Sequence, residues 1–253
     1  LEAIDHLRSI REKGENFRGL SFDTIAGAGS NGAVIHYRAG PRTNKAIETG
    51  QLLLVDSGAQ YLDGTTDVTR TMAIGPPTAE MIHRFTLVLK GHIAIATARF
   101  PVGVTGSQLD PLARLPLWQA GLDFDHGTGH GVGSYLNVHE GPQRIAKAHN
   151  AVALKPGMIL SNEPGYYKPG EYGIRIENLV LVVDAGLADS EGKYLGFETL
   201  TMVPLDRTLV DPALLSEAEI GWWNDYHTAV YATLAPQLEG DDLAWLEEQC
   251  APL

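Results

Sequence analysis

The feature that most constrains the fold of this chain is a set of four carboxylates and one imidazole, each in a short phrase beside apolar residues. Asp56 directly follows the apolar run 52–55, and isoleucines and leucines flank Glu177, so neither segment has the composition of a solvated face. Buried carboxylates without counter-charge repel one another and become protonated at a high energetic cost. The fold must therefore supply positive charge where these groups meet. The full set is Asp56, Asp67, His130, Glu163 and Glu177.

Charge balance predicts that this set binds two divalent metal ions. Neutral histidine and ionised Asp or Glu are suitable ligands for Mn, Fe, Co and Zn. Four carboxylates carry four negative charges, two dications carry four positive charges, and a bridging hydroxide fits between them. The carboxylate-rich set favours Mn²⁺ as the physiological metal, whereas relative affinities would let Zn²⁺ or Co²⁺ enter a purified sample.

The phrases around the five residues resemble those of the metallopeptidase family with the pita-bread fold, which holds methionine aminopeptidase, prolidase and aminopeptidase P. All five ligand positions match in order, and the likeness runs from about Asp23 to Thr201. The resemblance implies an α+β fold with a curved, mainly antiparallel sheet flanked by helices and a C-terminal helical extension. The mixture of helices and strands without a regular βαβ repeat agrees with this class.

The resemblance also implies roles for the five ligands. Asp56 would bind one ion, His130 and Glu163 would bind the other, and Asp67 and Glu177 would bridge both. Glu163 would in addition accept a proton from the attacking water and pass it to the leaving nitrogen.

Two features point within the family to the longer aminopeptidases P. His139 follows His130 by nine positions, whereas the matching histidine of prolidase usually follows by seven, and residues 196–253 resemble the extension of the longer enzymes. The implied activity is hydrolysis of the bond between an N-terminal residue and a following proline, in peptides with proline second. Two alternatives stay open: a prolidase that cleaves Xaa-Pro dipeptides, and a metal-free binding module on the same fold.

Three further histidines are candidate catalytic residues. His36 stands 20 positions before Asp56, which matches a histidine lining the family's active site. His126 lies four before His130, but glycines alternate through this segment and disfavour a helix, so His126 is expected to face the substrate. His36 and His126 would donate hydrogen bonds to the substrate carbonyl, and His139 would help to hold the substrate.

Arg175 is predicted to hold a metal ligand in position without binding the metal itself. It stands two positions before Glu177 and so shares its side of a strand, from which it would pair with a metal-bound carboxylate. Tyr166 and Tyr167 either line the cleft or pack beneath it.

Other motifs point away from competing functions. The sequence GAGSNG at 27–32 matches a dinucleotide fingerprint, but a β-branched run follows it instead of a helix, so a turn between strands is expected. No G-x-S-x-G elbow is present, and the isolated Cys250 is a poor nucleophile. Acyl-enzyme chemistry is therefore disfavoured.

Hydrophobic periodicity and capping signals predict the order of the elements. Thr78 and Ser107 are expected N-caps, and Ser216 is expected to form a capping box. Strands 51–56 and 67–74 are expected to form a hairpin that brings Asp56 and Asp67 together. Helices are predicted at 1–13, 78–99, 107–120 and 216–234, and the other strands at 21–28, 33–37, 158–163, 172–183 and 197–204.

Two regions are expected, a metallopeptidase domain over 1–195 and a C-terminal extension over 196–253. The extension is predicted to form a homodimer contact through aromatic side chains of one helix. These are Trp222, Trp223, Tyr226 and Tyr231.

Composition limits the partners and the compartment. The net charge of −12 speaks against a nucleic-acid partner, and no apolar run approaches the ~18 residues of a membrane span. A single cysteine, Cys250, favours a reducing, cytoplasmic location. The chain begins at Leu1 inside a helical pattern, so it is expected to be part of a longer protein with N-terminal domains.

Overall fold

Five helices and thirteen short strands make up the chain in the computed structural model, which describes residues 1–253. The helices are α1 Glu2–Arg11, α2 Ala79–Ala96, α3 Gly106–Gln119, α4 Glu217–Leu234 and α5 Gly240–Gln249. The strands are β1 Phe17–Leu20, β2 Ile25–Ala28, β3 Gln51–Ser57, β4 Ala59–Tyr61, β5 Val68–Ile74, β6 Phe100–Pro101, β7 Gly129–His130, β8 Arg144–Ile145, β9 Ile159–Asn162, β10 Gly165–Lys168, β11 Tyr172–Arg175, β12 Asn178–Asp184 and β13 Tyr194–Thr199.

Every pair of neighbouring strands is antiparallel, which confirms the predicted α+β class. One sheet has the order β2-β3-β5 and another the order β6-β13-β12-β9, and the remaining strands form two-stranded pairs. Strands β3 and β5 pair along their whole length with Asp56 opposite Thr69, so the predicted hairpin is confirmed. Its connection contains β4, which pairs with β1 instead.

Two large apolar clusters form most of the core, beside a third cluster of three residues. The larger one joins strand β3 to helices α2 and α4, with Leu52, Phe85 and Trp223 among its buried members. The other lies between helix α3 and the sheet of β9, β12 and β13, and it includes Leu109 and Val180. None of the helices combines the length and the hydropathy that crossing a membrane requires.

The helix caps agree with the sequence signals in two of three places. Thr78 accepts a hydrogen bond from the Met81 amide, and Ser216 forms the expected capping box with Glu219. The prediction for α3 is wrong, because Thr105 rather than Ser107 is the N-cap. Thr105 has a glutamine three residues on to complete its capping box, whereas the corresponding Asp110 is committed to an ion pair.

Four strand predictions need correction. The predicted strand 21–28 begins only at Ile25, and residues 21–24 connect it to β1. Residues 33–37 form no strand, because the chain turns through a 3₁₀ helix at Gly29–Asn31 and the Asn31 side chain holds the Tyr37 hydroxyl. The nucleotide-like segment is thus a turn, but it does not lead into a strand. The predicted strand 172–183 is interrupted at residues 176–177, and the predicted strand 197–204 ends at Thr199.

The aromatic residues of α4 do not all lie where a dimer contact needs them. Trp223 is fully buried and Tyr226 is 6% exposed, so both pack into their own core and supply no interface area. Trp222 is half-buried, and only Tyr231, at 37%, is exposed. Helix α5 beyond α4 was not expected from the sequence.

Replacing Trp223 with alanine should therefore lower the free energy of unfolding. Loss of a fully buried aromatic side chain costs about 3–5 kcal/mol, whereas Tyr231→Ala on the exposed side of the same helix should cost less than about 1 kcal/mol. Urea denaturation measures both free energies of unfolding. Equal losses in the two variants would contradict the packing of α4 on the core.

Candidate metal centre

One cavity of about 510 Å³ gathers all nine residues that the sequence marked as candidate site residues. It also has an apolar side that includes Phe22, Ile35 and Val138. The nine residues are His36, Asp56, Asp67, His126, His130, His139, Glu163, Arg175 and Glu177.

The acidic residues reach the cavity from the ends of strands. Asp56 is the penultimate residue of β3, and Asp67 stands immediately before β5. Glu163 follows β9, while Glu177 lies in the interruption between β11 and β12. Strand ends of different sheets thus deliver negative charge to one point.

The strongest convergence of ligand atoms surrounds the His130 imidazole. Its Nε2 lies 3.3 Å from Asp67 Oδ2 and 3.4 Å from Glu163 Oε1. Its Nδ1 is 2.9 Å from the Gly131 carbonyl, an acceptor only, so Nδ1 carries a hydrogen and Nε2 is the ring nitrogen that can bind a metal. Ligand atoms of Asp67, His130 and Glu177 all lie within 4.8 Å of one another.

The carboxylates in this cluster are short of positive partners. Asp56 Oδ1 and Asp67 Oδ1 are buried and have no hydrogen-bond partner. Burial, reinforced by neighbouring carboxylates, raises the pKa of Asp67 and of Glu177 well above the usual range, and burial also raises the pKa of Glu163. Carboxylate oxygens gathered around a histidine ring nitrogen, with further buried oxygens that lack partners, are the donor set of a divalent cation, so the residues fit the expected metals.

Arg175 is the one side-chain cation that directly contacts these carboxylates. Its Nη2 donates to Asp56 Oδ2 at 2.6 Å, and its Nε lies 3.9 Å from Glu163 Oε2. Burial would lower the pKa of Arg175, but the Tyr167 hydroxyl and the carboxylates of Asp56 and Glu163 outweigh burial and raise it. The geometry therefore contains the predicted pairing of Arg175 with a candidate ligand.

Two buried hydroxyls that the sequence analysis missed fix the candidate ligands. Thr69 Oγ1 donates to Glu177 Oε2 at 2.7 Å. Ser161 Oγ donates to Glu163 Oε1 at 3.1 Å and accepts from the His130 amide at 2.9 Å. Thr69 stands two positions after Asp67, and Ser161 stands two positions before Glu163. Residues two apart share one side of a strand, so this spacing was the sequence signal for both hydroxyls.

Glycines let the histidine segment lie against its neighbours. A Cβ on Gly129 would come within 1.9 Å of the Ser161 carbonyl oxygen, and one on Gly131 within 2.0 Å of the Glu140 carbonyl oxygen. No other residue fits at either place without moving the backbone. The alternating glycines of this segment therefore hold His130 close to β9.

His126 differs from its expected role as a hydrogen-bond donor to substrate. Its Nδ1 donates to the Gly127 carbonyl at 2.7 Å, and its Nε2 accepts from the Tyr167 hydroxyl at 2.8 Å. The Tyr167 hydroxyl in turn accepts a hydrogen bond from Arg175. Burial, with help from the charge of Arg175, lowers its pKa to about 3, so the ring is neutral. His126 has no free N–H in this arrangement.

The other two histidines lie at the cavity mouth. His36 and His139 are exposed, and the His139 ring meets His130 edge-on at a centroid distance of 4.3 Å. Burial of its inner part and the neighbouring rings of His130 and His36 lower the pKa of His139. Both are accessible to a molecule that enters the cavity.

Comparison with known proteins agrees with this geometry. Residues 2–184 match metallopeptidase family M24, and residues 193–253 match the C-terminal region of peptidase M24. The chain is 52% identical over 258 residues to a probable Xaa-Pro aminopeptidase P of Laccaria bicolor, covering 100% of this chain and 40% of the relative. It is 53% identical over 253 residues to its counterpart in Coprinopsis cinerea, covering 98% and 41%. The chain thus spans about two fifths of the length of these curated relatives.

Solved structures give the same relationship. An X-prolyl aminopeptidase from Caenorhabditis elegans, described as a cytosolic enzyme with a dinuclear active site, superposes with a TM-score of 0.95 at 46% identity, covering 100% of this chain and 42% of that one. An Xaa-Pro dipeptidase from Bacillus anthracis gives 0.69 at 34% identity, covering 81% and 53%. The predicted pita-bread fold is confirmed, and the chain belongs to metallopeptidase family M24.

Proposed function

We propose that this chain is the catalytic part of a metal-dependent aminopeptidase that cleaves between an N-terminal residue and a following proline. The observation that carries the proposal is the convergence of carboxylates on one imidazole: Asp67 and Glu163 lie within 3.4 Å of His130 Nε2, and buried oxygens of Asp56 and Asp67 have no hydrogen-bond partner. Relatives named Xaa-Pro aminopeptidase P, about half identical along the whole chain, support the substrate class.

In this proposal the cavity would hold two divalent ions. Asp56 would bind one, His130 and Glu163 would bind the other, and Asp67 and Glu177 would contribute to both. When bound, such a pair supplies an activated water and polarises the scissile carbonyl. Mn²⁺ is the metal that we propose, because three or more oxygen ligands accompany a single imidazole.

The protein's own groups then handle the proton and the orientation. Glu163 accepts the proton of the attacking water and delivers it to the proline nitrogen. Ser161 holds one oxygen of Glu163 in place during the transfer.

Substrate contacts come from the cavity mouth. His36 donates to the substrate carbonyl and His139 holds the peptide, whereas His126 orients Tyr167 and, through it, Arg175. A bond before proline has no N–H, and the ring restricts the backbone, so recognition depends on fitting the ring. The apolar side of the cavity, with Ile35 and Val138, gives the ring such a surface.

Several finer features remain proposals. Residues 1–195 act as the catalytic domain and 196–253 as an extension, N-terminal domains precede them in the whole protein, and its location is cytoplasmic. The greater length of the relatives supports the N-terminal domains, and the cytosolic C. elegans enzyme supports the location. A homodimer is also expected, but through surfaces other than Trp223 and Tyr226, since both are buried. Sedimentation of the whole protein tests that assembly.

The alternatives are less well supported. A prolidase would resemble dipeptidases at least as closely, yet the similarity to the Bacillus anthracis dipeptidase is 34% against 46% for the C. elegans aminopeptidase. The match of residues 193–253 to the M24 C-terminal region also favours the longer enzymes. A metal-free binding module would leave the buried oxygens of Asp56 and Asp67 without any partner to offset their burial.

Substrate specificity tests the proposal directly. The whole protein, assayed with Mn²⁺, should release the first residue from Xaa-Pro-Yaa peptides and leave Xaa-Ala-Yaa largely uncut, because an alanine side chain buries less apolar surface against Ile35 and Val138 than a proline ring does. Mass spectrometry of the products measures this. Faster cleavage of Met-Ala-Yaa would indicate a methionine aminopeptidase, and turnover of Xaa-Pro dipeptides alone would indicate a prolidase.

Asp67→Asn should remove metal, whereas His139→Ala should not. Asp67 contributes charge to both ions in this assignment, so its loss should lower the metal content, while loss of His139 should lower kcat/KM for Xaa-Pro-Yaa at normal metal content. Elemental analysis with steady-state kinetics separates the two effects. Equal metal loss in both variants would refute the assignment.

Metal removal should make stability depend on pH. The pKa values of Asp67, Glu163 and Glu177 are raised in the folded, metal-free protein, so it holds protons that the unfolded chain releases. This stabilising contribution is complete below about pH 4 and is lost as pH rises through the raised pKa values. The gap in urea stability between Mn²⁺-loaded and chelated protein should therefore widen from pH 5 to about pH 8. A difference in stability that does not change with pH would contradict the raised pKa values of these three acidic groups.

A further inference from the structure

A buried arginine behind the candidate metal centre is not used by the proposed chemistry. Arg70, on β5, is 7% exposed, and none of its hydrogen-bond acceptors is a carboxylate. Burying a cation without a counter-ion is costly unless every N–H finds an acceptor. Arg70 meets that requirement with six acceptor atoms: the carbonyls of Thr69, Glu177, Val203 and Pro204, Asn178 Oδ1 and the Tyr226 hydroxyl.

These acceptors fall into two groups. On one side, Arg70 Nη1 donates to the Glu177 carbonyl, and Nη2 donates to Asn178 Oδ1 at 2.7 Å. On the other side, Nη2 donates at 2.7 Å to the Val203 carbonyl and at 2.9 Å to the Tyr226 hydroxyl, both within the C-terminal region. The guanidinium therefore joins a candidate metal ligand to helix α4.

The position of the Glu177 backbone depends on these Arg70 hydrogen bonds more than that of a residue inside a strand would. It lies in the interruption between β11 and β12, where the sheet ladder does not hold it. Its amide donates to the Thr69 carbonyl at 3.2 Å, its carboxylate accepts from Thr69 Oγ1, and its carbonyl accepts from Arg70. Two consecutive residues of β5 thus fix both the backbone and the carboxylate of Glu177.

Tyr226 is itself rigidly held. Its ring stacks on Trp222 with a centroid distance of 5.2 Å and an interplanar angle of 3°. Its hydroxyl lies 2.7 Å from the Val203 carbonyl, which can only accept, so the hydroxyl donates there and accepts from Arg70. Without that hydroxyl, Arg70 Nη2 keeps Asn178 Oδ1 and the Val203 carbonyl as acceptors but loses the hydrogen bond that connects it to helix α4.

We propose that Tyr226 is a positioning residue for the metal centre: through Arg70 it holds the backbone of Glu177, and so the C-terminal region sets the metal affinity. The inference rests on the proposed function only in taking Glu177 as a metal ligand. It gives the C-terminal region a part in the site beyond packing, although no side chain of that region lines the cavity.

Co²⁺ titration of the metal-free protein, followed by its visible absorption, tests the proposal. Tyr226→Phe keeps the ring and its stacking but removes the hydroxyl, and it should weaken Co²⁺ binding about 10- to 100-fold, as loss of an outer partner of a metal ligand does. It should also change the absorption spectrum, and excess Mn²⁺ should restore peptidase activity. Tyr231→Phe, on the exposed side of the same helix, is the matched control and should leave all three unchanged.

The outcomes separate this inference from the proposed function. Wild-type affinity and spectrum in Tyr226→Phe, with only a lower melting temperature, would overturn the positioning role and leave the proposed function standing. Absence of Co²⁺ binding by the wild-type protein would overturn both. If Tyr226→Phe does not fold, Arg70→Lys replaces it: lysine keeps the charge but cannot reach both groups of acceptors, so the same loss of affinity is expected. Unchanged affinity in that variant would overturn the proposal.

Discussion

Mutual repulsion among buried carboxylates is the physical constraint on which the rest of this structure depends. Four acidic side chains meet in one cavity, and Arg175 alone offers them a direct positive partner. Strand ends, close-packed glycines and the hydroxyls of Thr69 and Ser161 hold the acids where they would not stay unaided. The surrounding fold thus gathers acidic groups whose charge must be balanced by bound cations or, without them, by protons, and this connects its architecture to hydrolytic chemistry.

The candidate site was more predictable than the fold around it. Its residues stand in short local phrases such as those around Asp56 and Glu163, and the chemistry of these side chains is independent of exact strand bounds. All nine of these residues line one cavity. Hydroxyl groups such as Thr69 escaped notice because threonine in a strand is ordinarily read as packing, although its alternation with Asp67 was visible.

What could not be predicted depends on distant contacts. The interruption at residues 176–177 arises because β5 supplies the partners of Glu177, and nothing near 176 in the sequence signals this. The state of His126 follows from Tyr167, 41 positions away. The burial of Trp223 reflects packing on helix α2 and strand β3, whereas amphipathic periodicity alone cannot tell a core face from an interface.

The hydrogen bond between Arg175 and Asp56 spans 119 positions of the chain, and this has a consequence for folding. Closing so long a loop costs entropy that the contacts at its ends must repay. The complete ligand set exists only where β3, β5, β9 and the segment between β11 and β12 have come together. A metal ion bound by the whole set therefore stabilises this assembled arrangement over partly folded ones.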